Sequence, residues 1–228
     1  MRKDLPALLY EDNHIIIVNK RTSDLVQGDS TGDEPLDDMV RSYIRDKYNK
    51  PGDVFLGVVH RLDRPVSGCV VYARTSKALS RLSEMFRTRD VSKVYWAVVS
   101  DRPPAEEGTL HGFLKKNEKQ NKSYVYDTEV KGSKEASLSY RIIARSERYY
   151  LLEIDLHTGR HHQIRAQLAA AGCPVRGDLK YGSKRSNEGG GISLHARRVS
   201  FVHPVKHLEI TVEAPLPDDR IWNLFRTI

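Results

Sequence analysis

His60-Arg61-Leu62-Asp63-Arg64-Pro65-Val66-Ser67-Gly68 is a charged segment set between two apolar runs, residues 54–59 and 69–73. Apolar runs of that length read as buried strands. The charged segment therefore falls where a sheet opens onto a loop, with Pro65 and Gly68 fixing the backbone. Asp63 lies between Arg61 and Arg64, and nearby positive charge favours its ionised form. An ionised carboxylate is what a nucleophile or a base requires. Alone, an aspartate between arginines is more often a surface ion pair, so the segment needs support from the rest of the chain.

On its N-terminal side, Ile15-Ile16-Ile17-Val18 is strand-sized and follows the turn-prone Glu11-Asp12-Asn13. Residues 21–34, rich in Ser, Thr, Asp and Gly, read as a loop. Pro35 suits the first turn of a helix continued by Leu36, Met39, Val40, Tyr43 and Ile44 at helical spacing. On the C-terminal side, Ser76 is placed to cap a second helix with Leu79, Leu82 and Phe86 on one face. Residues 94–99 form another strand, ended by Asp101-Arg102-Pro103-Pro104. The lysine-rich stretch 115–135 has no core pattern and is either an exposed hairpin or a mobile loop. Strands resume at 136–144 and 149–156, where Leu152, Ile154 and Leu156 alternate with Glu153 and Asp155. A helix is expected over 160–171, stopped by Gly172 and Pro174, and late strands over 196–203 and 207–212. Many strands and few helices, outside regular βαβ order, predict an α+β fold: a mixed or antiparallel sheet with helices packed on it.

Two other segments carry chemistry. In Leu156-His157-Thr158-Gly159-Arg160-His161-His162-Gln163-Ile164-Arg165, Thr158-Gly159 turns a strand into the expected helix. Ile164, Leu168 and Ala171 then share a narrow face with Arg165 beside it and His161 a turn earlier. An arginine at the edge of a buried face needs an anionic partner, and the helix start offers N–H groups to a phosphate or carboxylate. In Lys93-Val94-Tyr95-Trp96-Ala97-Val98-Val99, alternation puts Lys93, Tyr95 and Ala97 on one face and Val94, Trp96 and Val98 on the other. A cleft-facing tyrosine can stack on a base or exchange a proton.

Composition bounds the partners. Lys and Arg number 37 against 30 Asp and Glu, a net +7 that suits nucleic acid. No apolar run approaches the ~20 residues of a membrane helix, and Met1-Arg2-Lys3-Asp4-Leu5-Pro6 lacks the apolar core of a signal peptide. Cys69 and Cys173 stand far apart in apolar or small-residue surroundings and read as reduced, buried thiols. A cytoplasmic protein is expected. His157, His161, His162 and His195 have no zinc-site spacing, and Gly189-Gly190-Gly191 lacks the Lys-Ser/Thr of a phosphate loop. No metal site is expected from these spacings.

Taken in order, these segments resemble the RluA-type pseudouridine synthases. The family's His-Arg-Leu-Asp followed by Ser/Thr-Gly stands here as His60-Arg61-Leu62-Asp63 with Ser67-Gly68, and its Lys-x-Tyr strand as Lys93-Val94-Tyr95. Its later motif is matched by residues 158–165, then Gly172 with Pro174, Gly177-Asp178 and Tyr181-Gly182. Leu194-His195-Ala196 and Phe201-x-His203-Pro204 match its closing segment, and Tyr10-Glu11-Asp12 with Val18-Asn19-Lys20 its opening one. Departures fall at Arg21-Thr22-Ser23-Asp24, at Gln27 where a histidine is usual, and at Val66 where a threonine is frequent.

The resemblance implies one catalytic domain over 1–228 without an N-terminal RNA-binding extension, with a mixed, largely antiparallel central sheet in two lobes with flanking helices, a basic cleft between the lobes, and no metal or organic cofactor; oligomeric state is open, with a monomer the default. Asp63 would be the catalytic aspartate, Arg165 its ion-pair partner and Tyr95 the tyrosine on the base. His60, Arg61, Arg64, Arg160, His161 and Gln163 would bind substrate, Arg64 helping to extrude the uridine. The implied activity is isomerisation of uridine to pseudouridine in ribosomal or transfer RNA. A single carboxylate among arginines also departs from the paired acids of hydrolytic glycosidases. The competing reading is a non-catalytic RNA-binding or RNA-chaperone protein on the same fold.

Overall fold

Ile15, Ile16, Ile17 and Val18 are all fully buried, because the strand they form is covered on both faces and so carries no alternation. That strand, β2 (Ile15–Lys20), lies between β1 (Leu8–Glu11) and β4 (Ser67–Ala73), antiparallel to both. The computed structural model describes residues 4–28 and 32–226. Residues 29–31 of the loop expected over 21–34, and the first three of the chain, lie outside the described residues. The chain divides into two compact units, Met1–Val91 with Arg197–Pro215 and Ser92–Ala196 with Leu216–Ile228.

In the first unit the strand order is β1, β2, β4, β10, with β11 on β10 and β3 on β4. β3 (Gly57–Val58) is all that the apolar run 54–59 contributes to the sheet; β10 (Leu194–Val202) enters the unit from Arg197 onward and pairs antiparallel with β11 (Glu209–Glu213). Helices α1 (Leu36–Lys47) and α2 (Ser76–Thr88) complete the unit. Ala78 and Leu82 of α2 are fully buried in a cluster with Ile15, Ile17, Val71, Val199 and Phe201, and Leu79 and Phe86 flank it. Full burial of a side chain such as Leu82 contributes about 1.5–3 kcal/mol. β3 runs so close to α2 that a Cβ on Gly57 would fall 2.7 Å from a Leu79 methyl.

Both helix starts shift by one residue from the sequence expectation. Pro35 takes the cap position of α1 and not its first turn. Thr75, extended at φ −138°, ψ 152°, caps α2 in place of Ser76, its hydroxyl accepting from the Ala78 N–H at 3.2 Å. A cap needs that extended backbone, which Ser76 has already left.

The second unit is an antiparallel sheet in the order β5, β9, β8, β6, β7, formed by β5 (Ser92–Val99), β6 (Glu107–Asn117), β7 (Lys122–Tyr126), β8 (Lys134–Arg145) and β9 (Tyr150–Leu156). Of the two readings of the lysine-rich stretch, the hairpin holds: β6 and β7 pair from Phe113↔Tyr126 to Asn117↔Lys122. Val94, Trp96 and Val98 pack with Leu151, Trp222 and Phe225, the face that alternation assigns to them. A second cluster joins Leu114, Ala136, Ala166 and Tyr181 under helix α3 (Gln163–Ala170).

α3 corrects the expectation of a helix over 160–171 with one narrow apolar face. His162 adopts the left-handed conformation, φ 54° and ψ 26°, which starts the helix only at Gln163. Residues from Gln163 through Leu168 are all buried, so the helix is enclosed all round and Arg165 sits inside it, 5% exposed, instead of at an edge. The stop at Gly172, with φ 80°, is as read. No helix among the described residues is long and apolar enough to cross a membrane.

Candidate active site

The segment between β3 and β4 is irregular, with a turn at Arg64-Pro65 closed by the Val66 N–H donating to the Asp63 carbonyl at 3.0 Å. Leu62 and Val66 are buried and anchor it, leaving Asp63 half-buried and Arg61 and Arg64 exposed. Arg64 pairs with Asp33 at 2.5 Å, both side chains nearly half exposed. His60 stacks on Phe86 with ring centroids 4.7 Å apart. Its Nε2 accepts from the Val71 N–H at 2.9 Å, which leaves the ring proton on Nδ1. His60 thus joins the segment to α2 and β4.

The segment is braced from beneath by Lys20, the last residue of β2, which is fully buried. Its ammonium donates to the carbonyls of Arg21 (3.0 Å), Arg64 (3.0 Å) and Val66 (2.6 Å). The Arg64 carbonyl also accepts from the Ser23 N–H at 3.0 Å, so the loop where the sequence departs from the family pattern backs the Asp63 turn. Burial pushes the Lys20 pKa down to about 7, against the opposing pull of Asp24 and Asp63.

The other segment lies in the second unit. The buried Thr158 and Gln163 side chains close the turn before α3: the Thr158 hydroxyl donates to Gln163 Oε1 at 2.7 Å, and the Arg160 N–H to the same oxygen at 3.0 Å. Gln163 Nε2 donates to the Ser137 carbonyl and Arg160 Nε to that of Glu135. Arg165 donates from Nε and Nη2 to the two Asp178 oxygens at 2.6 and 3.0 Å, with Asp178 1% exposed. Its guanidinium lies 5.1 Å from the centre of the Tyr181 ring. The Tyr181 hydroxyl accepts from the buried Ser123 N–H at 2.8 Å and meets His162 Nδ1 at 3.0 Å. His161 stacks on His162 at 3.8 Å, and the Ser123 hydroxyl donates to the His161 carbonyl. Burial and the charge of Arg165 push the His162 pKa down to about 2, so its ring is neutral. Tyr95, on β5 opposite Ile154, is 8% exposed.

Residues 14–170 match the RNA pseudouridylate synthase family. The chain belongs to that family. The match begins one residue before β2 and ends with α3, so it takes in Lys20, Asp63, Tyr95 and Arg165. This pseudouridine synthase is 33% identical over 232 residues to the ribosomal large subunit pseudouridine synthase D of Xylella fastidiosa, covering 95% of this chain and 68% of the relative. It is 31% identical over 215 residues to the uncharacterized RNA pseudouridine synthase YlyB of Bacillus subtilis, covering 93% and 69%. It spans about two thirds of the length of these relatives. Human RNA Pseudouridylate Synthase Domain Containing 4 shares the fold, with a TM-score of 0.79 at 22% identity over 96% of this chain and 92% of that one.

Sequence reasoning placed Lys20, Asp178 and Tyr181 inside matching motifs of the synthase but gave them no role. For Lys20 the sequence offered only its place at the end of the strand, after Asn19, with no sign of its backbone partners. Ser123, in the lysine-rich stretch, carried no signal at all. Asp63 belongs to the first unit; Tyr95, Arg160, His161, Gln163 and Arg165 belong to the second.

Proposed function

We propose that this chain converts specific uridines in structured RNA to pseudouridine, with Asp63 as the catalytic carboxylate. The observation that carries the reading is a half-buried aspartate on a turn clamped by the buried Lys20, inside the residues that match the family. The reaction breaks the N1–C1′ bond, turns the uracil and joins C5 to C1′; a proton leaves C5 and N1 takes one up. It is redox-neutral and releases nothing. The target nucleotide leaves its stack at least cost in single-stranded loops. Asp63 acts at the sugar, either attacking C1′ or taking the C2′ proton to give a glycal.

Arg165 is assigned the pairing with Asp63. Asp178 engages Nε and Nη2 and fixes the plane of that guanidinium. Tyr95 holds the uracil ring. Arg64 takes the phosphate of the extruded nucleotide. Its exposed pair with Asp33 is worth only about 0–1 kcal/mol, so a phosphate can displace Asp33. His60, Arg61, Arg160, His161 and Gln163 shape the substrate side, His60 and Gln163 by holding backbone. The net charge of +7 and the relative named for the ribosomal large subunit point first to ribosomal RNA, with transfer RNA the second candidate.

Asp63→Asn tests the mechanism. Pseudouridine formation in single turnover drops by about a thousandfold or more, while RNA affinity stays within a few fold. An active Asp63→Asn protein rules the mechanism out. Mapping pseudouridines in RNA from cells with and without this chain identifies the target.

A further inference from the structure

We propose that Lys20 is a positioning residue whose charged form is required for activity: as an ammonium it holds the Asp63 turn in its working shape, and as a neutral amine it lets that turn go. The inference rests on the reading of Asp63 as the catalytic carboxylate.

The geometry uses the ammonium completely. A lysine ammonium has three protons, and three backbone carbonyls take them: Arg21, Arg64 and Val66. Two of those carbonyls flank Pro65, and the third belongs to the loop that follows β2. The Val66 backbone is tied on both sides, its carbonyl to Lys20 at 2.6 Å and its N–H to the Asp63 carbonyl at 3.0 Å. Withdrawing one Lys20 proton leaves two donors for three acceptors and aims a lone pair at a carbonyl oxygen. The turn then loses a bond on the side that fixes Asp63, and a buried carbonyl without a donor costs about 1–3 kcal/mol.

The charges around Lys20 are few. Asp24 and Asp63 favour its proton and Arg64 opposes it; the Arg21 guanidinium is engaged by Asp24 at 3.1 Å. Across the sheet its partner on β4 is Gly68, which brings no side chain. Burial outweighs the two carboxylates, so the proton comes off near neutral pH and not in the usual lysine range. Arg165, by contrast, does not give up its proton in this range.

The test is the single-turnover rate of pseudouridine formation between about pH 6 and 8.5 for the intact protein and for Lys20→Met and Lys20→Arg. The parent rate is expected to fall as pH rises through about 7. In Lys20→Met the rate is expected to be about tenfold to a hundredfold lower and to lack that descending limb, with RNA affinity little changed. Lys20→Arg, which keeps its charge, moves the limb to higher pH. A limb that persists unaltered in Lys20→Met overturns the proposal, as does a parent profile with no limb. Should Lys20→Met fail to fold, the 13Cε shift of Lys20 in the labelled parent protein gives its ionisation directly. Agreement of that midpoint with the kinetic limb supports the proposal, and a separation above about one pH unit overturns it. An active Asp63→Asn protein would instead sink the catalytic reading, while an inactive one beside an unaltered limb sinks only this inference.

Discussion

The Asp63 segment and the Arg165 segment each depend on a buried cation, but the two cations are held by different chemistry. Lys20 is met by three backbone carbonyls, which are dipoles, and the charge stays uncompensated by a direct carboxylate contact in those bonds. Arg165 is met by both oxygens of the buried Asp178. An ammonium held by dipoles loses its proton when burial is costly enough, whereas a guanidinium does not. The first unit therefore has a brace that titrates near neutrality and the second has one that does not.

The largest effect that would break this contrast is removal of the carboxylate from the second brace. Asp178→Ala leaves the Arg165 guanidinium buried without that partner, and breaking a buried pair from one side costs about 3–5 kcal/mol. Denaturant unfolding is expected to show a loss of that size, nearly constant across neutral pH. A loss below about 1 kcal/mol would mean that Asp178 is not what holds Arg165 in α3.

The next effect sharpens the contrast through pH. Lys20 has a folded pKa lowered to about 7 from 10.5. Between about pH 7 and 10 the unfolded chain binds more protons at this residue than the folded one, so its contribution makes stability rise with pH there, by up to about 1.4 kcal/mol per pH unit. Activity is expected to fall over the same range in which this stability increases. The difference in unfolding free energy between the parent protein and Lys20→Met, followed against pH, isolates the slope. A difference that does not change with pH would show that Lys20 does not titrate there.

How much of this was legible beforehand follows from where the information sits. Ile15-Ile16-Ile17-Val18 announces a buried strand because burial is written in side-chain type, and β2, β4, β5, β8, β9, β10 and β11 were readable for that reason, whereas β1 and β6 were not. The Asp63 motif was readable as a charged interruption between apolar runs. Lys20 was not, because its partners are carbonyls, which every residue has and no sequence distinguishes. α3 misled periodicity because burial on all sides erases the face that periodicity detects. The left-handed His162 gave no warning either, since any single non-glycine residue seldom takes that conformation. Ser123 lies in a polar stretch whose hairpin partner and docking point are set by tertiary structure alone.

The smallest effect concerns the hydroxyl that fastens the β6–β7 hairpin beside α3. Tyr181 accepts from the Ser123 N–H at 2.8 Å and meets His162 Nδ1 at 3.0 Å, and both Ser123 and His162 are buried. In Tyr181→Phe the ring and its stacking on Arg165 remain, but the Ser123 N–H loses its acceptor. Stranding a buried donor costs about 1–3 kcal/mol. His162 is neutral down to about pH 2, so its ring gains no charge between about pH 6 and 9, and the loss is expected to stay constant there. Hydrogen exchange localises it: protection of the Ser123 amide and its neighbours in β7 falls, while amides of β2 and β4 keep theirs. A pH-dependent loss, or one spread equally over both units, would show that the second brace is not the fixed counterpart of the titrating one around Asp63.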